Sequence, residues 1–439
     1  MIDNKLKIFD NEFYLKKITI NNISKNYFNW FNNFDVKKYI KSSYDSQNDL
    51  LAYIKKEIKK KNQIFFGIFL KKNNLHIGNV KFHDIDLKKK ISWVGILIGE
   101  KKFRSQSFGR KSIYKGCEFL FLNFCIKKFY LKVDKENLAA IKSYKQIGFK
   151  VISTSKNEFL MSFNFVLNKL ILGTAQFGQP YGISNNKPIT KKNISDILKI
   201  SKNKVSQVDT SEDYLIDSNT KKKLGSFMVN TKVHISFFFK PYYQIEKEIK
   251  KISKYYKVNI LFIRELEDNF RTARILKKIK LLKKKKFINK IGISIYSTKN
   301  IVKLHQKFKY DAIQAPVNIF DNRCDKFENF FKRKQIEFHA RSVFLQGLFF
   351  MDEKSLKKKL IGLKPFIKKL SGISKKLRIN MYDLALSHVF LKNYVDKVII
   401  GAHKDNQIIK CLNFNFNRKS KEKLKFKIKD DKLIDPRYW

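Results

Sequence analysis

Residues 170–182, Leu-Ile-Leu-Gly-Thr-Ala-Gln-Phe-Gly-Gln-Pro-Tyr-Gly, open the most regular part of the sequence. From here on, apolar runs of strand length alternate with stretches of helical length. The strand-like runs fall at 169–173, 205–209, 228–233, 258–263, 288–294, 311–315, 336–341 and 397–401. Eight strand–helix units within about 250–270 residues predict a closed parallel (β/α)8 TIM barrel. An open doubly wound sheet is the alternative.

The first 165 residues mix strand and helix patterns without such a repeat. Strand patterns lie at 64–70, 77–82, 93–98 and 130–133, and helical patterns at 109–126 and 137–146. We therefore predict an α/β protein with two domains, a mixed αβ sheet domain over residues 1–165 and the barrel over residues 166–439.

The composition gives a large positive charge. The 439 residues include 94 Lys and Arg against 38 Asp and Glu, which gives a net charge of +56. This excess of positive charge is spread along the chain, and the sequence is also rich in Asn, Ile and Phe. These residues share A/T-rich codons with Lys, so an A/T-biased genome explains the composition. A nucleic-acid-binding protein is the alternative, and a steep salt dependence of RNA or DNA binding would favour it.

Location and redox state are predicted from what the sequence omits. It has no apolar run of about 18 residues and no apolar signal core near Met1. The four cysteines show no metal-type spacing: Cys117, Cys125, Cys324 and Cys411. We expect a cytoplasmic protein with reduced thiols, no bound metal and no membrane span.

Two stretches of the N-terminal half carry chemistry. In the first, the strand ending at Ile98 runs through Arg104-Ser105-Gln106-Ser107-Phe108-Gly109 into a long helix. A loop of small residues before a helix directs backbone N–H groups toward a phosphate. The second stretch, residues 137–149, contains Asn137, Tyr144 and a Gly-Phe pair.

With Trp30 and the Gly78-Asn79 pair, these stretches resemble the GNAT acetyltransferases, in particular the branch that acts on ribosomal proteins and nucleotide-linked amino sugars. The resemblance implies acetyl-CoA as cofactor, Asn137 on the cofactor arm, and Tyr144 as the acid that protonates the departing thiolate. It places cofactor binding on the following residues: Ile98, Arg104, Ser105, Ser107, Gly109 and Asn137. Ser105 and Ser107 stand where the family usually has glycine.

The general base of the acetyltransferase is not identified by any motif. His83, Asp84 and Glu100 are candidates by position only.

In the second half, polar groups follow predicted strands. Asp209 and Tyr214 come with the second strand, and Lys232 with the third. Because the carboxyl ends of barrel strands meet at one mouth, these groups are expected to form a proton-transfer chain. In it, Lys232 would lower the pKa of Tyr214, and Asp209 would keep Lys232 charged.

Segments 290–294, 312–321, 339–347 and 398–402 extend this pattern, and together they resemble the aldo/keto reductase family. The resemblance implies NADPH across the barrel mouth and Tyr214 as proton donor to a carbonyl. It implies that Ser294 and Gln314 hold the carboxamide. The other cofactor-binding positions it implies are Gly173 and Thr174, the pyrophosphate strap at Ser342, Phe344 and Gly347, and the adenosine phosphate site at Gly401 and Lys404.

The sequence departs from that family at three places. Arg264 stands in place of the catalytic His, Leu215 in place of a Gly, and Lys410-Cys411 in place of a Glu-Asn pair near the adenine. A guanidinium stays charged near neutral pH, so Arg264 can donate hydrogen bonds but cannot exchange a proton.

These features predict a bifunctional enzyme of surface-glycan precursor synthesis. One domain would N-acetylate an amino sugar nucleotide with acetyl-CoA, and the other would reduce a carbonyl sugar with NADPH. The alternative is an active acetyltransferase, for a sugar or a protein N-terminus, fused to a non-catalytic barrel that binds or scaffolds.

Overall fold

A computed structural model describes residues 6–39, 44–178, 180–183, 189–211, 214, 218–229, 231–238, 240–264, 270–419 and 424–439. The chain divides into two compact units, Met1–Asn168 and Lys169–Trp439. Within the ranges just given, no helix combines the length and apolar character needed to cross a bilayer. No disulfide bond joins any of the four cysteines.

The first unit is one mixed sheet with helices. Its strands are β1 (Lys7–Phe9), β2 (Phe13–Lys17), β3 (Ile64–Leu70), β4 (His76–Asp86), β5 (Ile91–Ile98), β6 (Lys128–Asp134), β7 (Lys150–Thr154) and β8 (Glu158–Asn164). Its helices are α1 (Lys25–Asn32), α2 (Phe34–Lys37), α3 (Gln47–Lys59), α4 (Phe108–Phe124) and α5 (Leu138–Ile147), and α6 (Phe165–Lys169) leads into the second unit. The strand order is β1-β2-β3-β4-β5-β6-β8-β7. Only the β5–β6 pair is parallel among the described pairings, because α4 carries the chain across between them.

The second unit is a closed barrel of parallel strands, so the predicted (β/α)8 fold is confirmed and the open sheet is not. The strands are β9 (Leu170–Gly173), β10 (Gln207–Ser211), β11 (Lys232–Phe237), β12 (Val258–Arg264), β13 (Ile288–Ser294), β14 (Ala312–Pro316), β15 (Glu337–Arg341) and β16 (Lys397–Ile400). The helices are α7 (Lys191–Ser201), α8 (Ser218–Met228), α9 (Tyr242–Ser253), α10 (Phe270–Lys284), α11 (Ile301–Phe308), α12 (Glu328–Lys334), α13 (Lys364–Leu377), α14 (Met381–Phe390) and α15 (Asp405–Leu412).

One predicted barrel strand has the wrong boundaries. The run 228–233 was expected to be a strand ending near Lys232, but α8 extends to Met228 and β11 starts at Lys232. Lys232 pairs with Gln207 at the start of β10. It therefore lies at the amino end of the barrel, whereas the catalytic mouth of such a barrel is formed by the carboxyl ends.

Gly99 gives a test of packing in the first unit. A Cβ on Gly99 would lie 1.8 Å from Cδ2 of Trp30, whereas a Cβ on Gly95, in β5, would meet nothing within 4 Å. We expect Gly99→Ala to lower the free energy of unfolding by about 1–3 kcal/mol through overpacking, and Gly95→Ala to change it far less. Urea unfolding followed by tryptophan fluorescence measures this, and equal effects of the two variants would contradict the packing.

Candidate active sites

The loop between β5 and α4 has the backbone of a phosphate cradle. Ser105 (φ 62°) and Ser107 (φ 72°) both take the left-handed conformation, and α4 starts directly afterwards at Phe108. Glycine adopts this conformation without strain, which is the physical reason for glycine at such positions. Serine can adopt it too, so the two replacements keep the loop shape. Left-handed residues before a helix N-terminus expose backbone N–H groups to an anion, which fits the pyrophosphate of acetyl-CoA.

Arg104 holds this loop against the end of β5. Its Nε donates to the Ile98 carbonyl at 3.1 Å and its Nη2 to the Gly99 carbonyl at 2.9 Å. Its Nη1 donates to Asp35 Oδ2 at 3.2 Å. The guanidinium is thus a positioning group for the loop, and direct contact between Arg104 and the cofactor stays a prediction.

β5 and β6 open into a cleft beside the loop. They pair only through Ile91–Trp93 and Lys128–Tyr130 in the described register, while β5 continues to Ile98 and β6 to Asp134. Gly109 faces the end of β5, where an added Cβ would lie 3.6 Å from Ile98 Cγ1. An extended thioester arm fits between the diverging strands, where the unpaired strand edges offer backbone hydrogen bonds.

α5 presents the predicted acid. The Asn137 carboxamide caps this helix by accepting from the Ala140 N–H at 3.1 Å, and Gly148 (φ 115°) ends it. Burial raises the pKa of Tyr144 to about 12. The phenol is therefore protonated at neutral pH, which is the state a general acid needs.

The three candidate bases occupy different places. His83 pairs with Trp93 across β4 and β5, at the closed end of the cleft, and its Nδ1 lies 2.8 Å from Asp84 Oδ2. Glu100 follows the open end of β5, and its Oε1 accepts from Trp30 Nε1 at 3.0 Å. Of the three, Glu100 is the one whose place in the fold is next to the cofactor loop.

At the barrel mouth, three buried polar side chains from neighbouring or facing strands form a chain. Ser294 Oγ donates to Gln314 Oε1 at 3.0 Å, and Gln314 Nε2 donates to Asp209 Oδ2 at 2.8 Å. The family resemblance implies that Ser294 and Gln314 hold the carboxamide, and it does not predict the bond to Asp209. That contact joins residues 105 positions apart, so only the closed barrel shows it.

The backbone of Asp209 is also fixed. Gly173 pairs with Asp209 across β9 and β10, and the Thr174 N–H donates to the Asp209 carbonyl at 3.1 Å. Thr174 Oγ1 lies 2.9 Å from Thr210 Oγ1. Gly173 and Thr174, which are predicted to bind cofactor, thus also position the backbone of Asp209.

Burial raises the pKa of Asp209 to about 6, against the lowering effects of Arg264, His339, Gln314 and Arg341. A carboxyl group whose folded pKa is raised stabilises the fold only while protonated. That stability is present below its ordinary pKa near 3.8 and is lost as pH rises through 6.

Asp209→Asn is therefore expected to remove a cost of ionisation of up to about 3 kcal/mol. Relative to wild type, the variant gains stability between pH 4 and pH 8. Scanning calorimetry of the full chain across this range measures the gain for the barrel transition. A stability difference between the two proteins that stays constant with pH would contradict the buried, ionising carboxyl group.

Tyr214 and Arg264 are in direct contact. Arg264, the last residue of β12, donates from Nη2 to the Tyr214 hydroxyl, and its Cζ lies 4.9 Å from the centre of that ring. Burial raises the pKa of Tyr214, while the charges of Arg264 and Arg341 oppose the rise. The cation predicted to act on Tyr214 was Lys232, and this prediction is wrong in position. Leu215, the departure next to Tyr214, lies outside the described residues.

Lys240 stands where a lysine was expected. It follows the carboxyl end of β11, and its Nζ lies 4.5 Å from the centre of the Phe237 ring at that end. The sequence contains a signal for this lysine. The apolar run 237–239 has the length and position of a strand end, and Lys240 follows it directly.

The segment after β15 forms a second anion cradle. Ser342 (φ 55°), Leu345 (φ 45°), Gln346 (φ 55°) and Gly347 (φ 92°) are all left-handed, and a Cβ on Gly347 would meet nothing within 4 Å. Such a run turns backbone N–H groups toward one open side, which fits a dinucleotide pyrophosphate. The binding of a cofactor pyrophosphate by Ser342, Phe344 and Gly347 stays a prediction.

The predicted adenosine end lies at α15. Gly401 leaves β16 in close contact with Gln176, whose Oε1 is buried without a hydrogen-bond partner in the described part of the chain. Lys404 is exposed at the start of α15, a position that suits a phosphate.

The neighbourhood predicted for the adenine is partly core. Phe344 packs on Tyr382 with ring centres 5.3 Å apart, and Lys410 Nζ lies 5.3 Å from the centre of the same Tyr382 ring. Cys411 is fully buried, so its side chain is a core element rather than a surface that meets a base.

No group of three His, Cys, Asp or Glu side chains able to hold a metal occurs among the residues with described positions.

Two family descriptions match the chain. Residues 169–426 match the aldo/keto reductase family, which covers more than half of the 439 residues, and residues 13–150 match the acetyltransferase (GNAT) domain. No curated protein matches.

Solved structures of acetyltransferases match about a third of the chain. A spermidine N-acetyltransferase from Vibrio cholerae in complex with CoA and spermine is 19% identical, with 35% of this chain and 96% of that chain covered and a TM-score of 0.32. A ribosomal-protein-S5-alanine acetyltransferase from Vibrio fischeri is 12% identical, with 36% and 97% covered and a TM-score of 0.33. A GNAT-family acetyltransferase from Bacillus anthracis is 15% identical, with 36% and 99% covered and a TM-score of 0.33.

The chain belongs to the aldo/keto reductase family and carries an acetyltransferase (GNAT) domain ahead of the reductase domain.

Proposed function

We propose that the barrel reduces a carbonyl compound with NADPH and that the first unit N-acetylates an amine with acetyl-CoA, both in the cytoplasm. The observation that carries the reductase proposal is the mouth itself. There the chain Ser294–Gln314–Asp209 and the pair Tyr214–Arg264 lie at the carboxyl ends of strands in one closed barrel.

Bound NADPH supplies the hydride that adds to the carbonyl carbon. Tyr214 donates the proton that the carbonyl oxygen needs. Arg264 donates a hydrogen bond to the Tyr214 oxygen, so it stabilises the tyrosinate that forms and does not itself lose a proton. Asp209, held by Gln314, supplies the negative charge that balances the cations around Tyr214.

Lys240 takes the role that the sequence gave to Lys232. A lysine at the carboxyl end of β11 can stabilise the tyrosinate, whereas one at its amino end cannot. We expect Lys240→Met to lower reductase kcat/KM at least about tenfold and Lys232→Met to leave it unchanged. Loss of NADPH absorbance at 340 nm measures both. A larger loss of kcat/KM in Lys232→Met than in Lys240→Met would mean that Lys232, and not Lys240, stabilises the tyrosinate.

In the first unit, a neutral amine attacks the thioester of acetyl-CoA. The C–S bond breaks, and Tyr144 protonates the departing sulfur. We propose Glu100 as the group that takes the proton from the amine, directly or through water, because it follows the open end of the cleft.

We propose that the substrates are nucleotide-linked sugars, with an amino sugar as acetyl acceptor and a carbonyl sugar for the barrel, in the synthesis of surface-glycan precursors. Two cofactor sites in one chain support successive steps on related molecules. A net charge of +56 supports anionic substrates. A protein N-terminus is the alternative acceptor.

The test is thiol release from acetyl-CoA by the full chain, with a panel of UDP-linked and other nucleotide-linked amino sugars beside peptides with free N-termini. Turnover with an amino sugar nucleotide supports the proposal, and its product then suggests the carbonyl substrate. Turnover with peptides alone would replace sugars by protein amines as acceptors.

A second candidate function is a barrel that binds or scaffolds without catalysis. Arg264 favours it, because this residue replaces the proton-exchanging His and occupies the Tyr214 hydroxyl. That function predicts no NADPH oxidation with any carbonyl compound, while a variant lacking the barrel acetylates more slowly.

A further inference from the structure

Two guanidinium groups reach the reductase mouth, and the mechanism above uses only one of them. Arg264 ends β12, where it pairs with Ser294, and Arg341 ends β15, where it pairs with Pro316. Both act electrostatically on Asp209 and on Tyr214. The proton donor is therefore in contact with one fixed positive charge, Arg264, and within the electrostatic influence of a second, Arg341.

Arg341 is held in place rather than left to solvent. Its Nη2 donates to the Ile295 carbonyl at 2.9 Å, and its Cζ lies 3.9 Å above the centre of the Tyr296 ring. Its Nη1 donates to Ser342 Oγ at 3.3 Å. A guanidinium has five N–H donors, so these bonds leave donors for a ligand.

Two described carboxylates on this side of the barrel are already paired with other arginines. Asp435 Oδ2 lies 2.6 Å from Nη2 of Arg437, whose Cζ is 4.2 Å from the centre of the Tyr296 ring. Asp321 pairs in the same way with Arg323 at 2.7 Å. These pairs balance their own charges and add nothing to balance Arg341.

Asp209 thus faces both guanidinium groups of the mouth. One carboxyl group cannot neutralise two guanidinium charges. Counted over the residues that the structure describes, the mouth therefore carries an excess of positive charge around the Tyr214 hydroxyl. In a partly buried site an anion gains most from such an excess, because screening by water is weak there.

We propose that the carbonyl substrate of the barrel carries an oxyanion, a carboxylate or a phosphate, which Arg264 and Arg341 bind beside the Tyr214 hydroxyl. This rests on the proposed reductase function. The planar fork of a guanidinium matches both kinds of oxyanion in a two-point contact. The oxyanion does not react: hydride from NADPH adds to the carbonyl carbon, the proton of Tyr214 goes to the oxygen, and an alcohol forms.

The test compares two aldehydes of similar size and electron demand, 4-carboxybenzaldehyde and 4-nitrobenzaldehyde. Their binding to the full chain is measured by isothermal titration calorimetry, and their reduction by NADPH absorbance. Glyceraldehyde 3-phosphate and glyceraldehyde form a second pair, so that a preference for phosphate is distinguished from one for carboxylate. In wild type, we expect one charged member to bind at least about tenfold tighter than its neutral partner.

Arg341→Gln is expected to lower this preference roughly 10- to 100-fold, the effect of losing one charge-assisted contact. The matched control is Arg437→Gln, which removes the other guanidinium on Tyr296 and should keep the preference. The dissociation constant of NADPH, followed by its fluorescence, should be the same in wild type and Arg341→Gln.

Three results overturn the inference. In the first, the charged aldehydes bind no tighter than the neutral ones, and in the second, Arg341→Gln leaves the preference intact. In the third, Arg341→Gln lowers the affinity for NADPH instead, which would mean that Arg341 binds the cofactor. If the wild type binds charged aldehydes preferentially but reduces none, the reductase function fails while the oxyanion site stands.

Discussion

Tyr214→Phe is expected to lower NADPH-dependent carbonyl reduction by about 10²–10⁴-fold, the usual contribution of a positioned general acid. The hydroxyl is in contact with Arg264, and no other described side chain at this contact can release a proton near neutral pH, since the guanidinium stays charged. The measurement is kcat/KM from NADPH absorbance at 340 nm, together with the NADPH dissociation constant, which should not change.

Tyr310→Phe is the matched control. Its hydroxyl is also buried and hydrogen-bonded, donating to the Ile301 carbonyl at 3.0 Å, but it lies at the amino end of β14, away from the mouth. This variant should lose some stability and keep its activity. If Tyr214→Phe keeps activity within a factor of three while Tyr310→Phe behaves as expected, Tyr214 is not the proton donor.

Tyr144→Phe is expected to lower thiol release from acetyl-CoA by about 10²–10⁴-fold. The phenol is protonated at neutral pH because burial raises its pKa to about 12, and phenylalanine keeps the ring packing while removing the proton. Thiol release is measured at saturating acceptor, and CoA binding by calorimetry.

Tyr130→Phe serves as the control, since Tyr130 lies on β6 at the paired end of the cleft, beside the Trp93 ring at 5.5 Å. Binding of CoA should be equal in wild type and both variants. Loss of CoA binding in Tyr144→Phe would mean that the ring shapes the cofactor site, and unchanged turnover would remove Tyr144 from the mechanism.

The fold could be predicted from local pattern because most barrel strands are buried on both faces and appear as continuous apolar runs. The strand predicted at 228–233 is the exception. Met228 and Val229 are apolar, and their run was interpreted as strand, but Met228 ends α8 and the true strand starts with charged Lys232. A short apolar run at a helix end cannot be distinguished from a strand by periodicity, and this slip moved the predicted lysine to the wrong end of the barrel.

The sequence motifs identify individual site residues but not the contacts between them. Asp209, Tyr214 and Arg264 were named, and the structure places Arg264 on the Tyr214 hydroxyl. The bond from Gln314 to Asp209 and the charge of Arg341 at the mouth depend on which strands are neighbours in space. Sequence motifs do not contain that information. The two serines of the phosphate loop show the reverse case, because their left-handed backbone explains a departure that sequence alone left open.

If one chain contains two working cofactor sites, it binds CoA and NADPH independently. The most direct test is calorimetric titration of the full chain with CoA and with NADPH. We expect one molecule of each to bind per chain, with NADPH binding lost when Ser342 and Gly347 are both changed to Pro and CoA binding lost when Ser105 and Ser107 are. Binding of only one cofactor, or loss of both through one pair of changes, would show that the chain does not hold two separate cofactor sites.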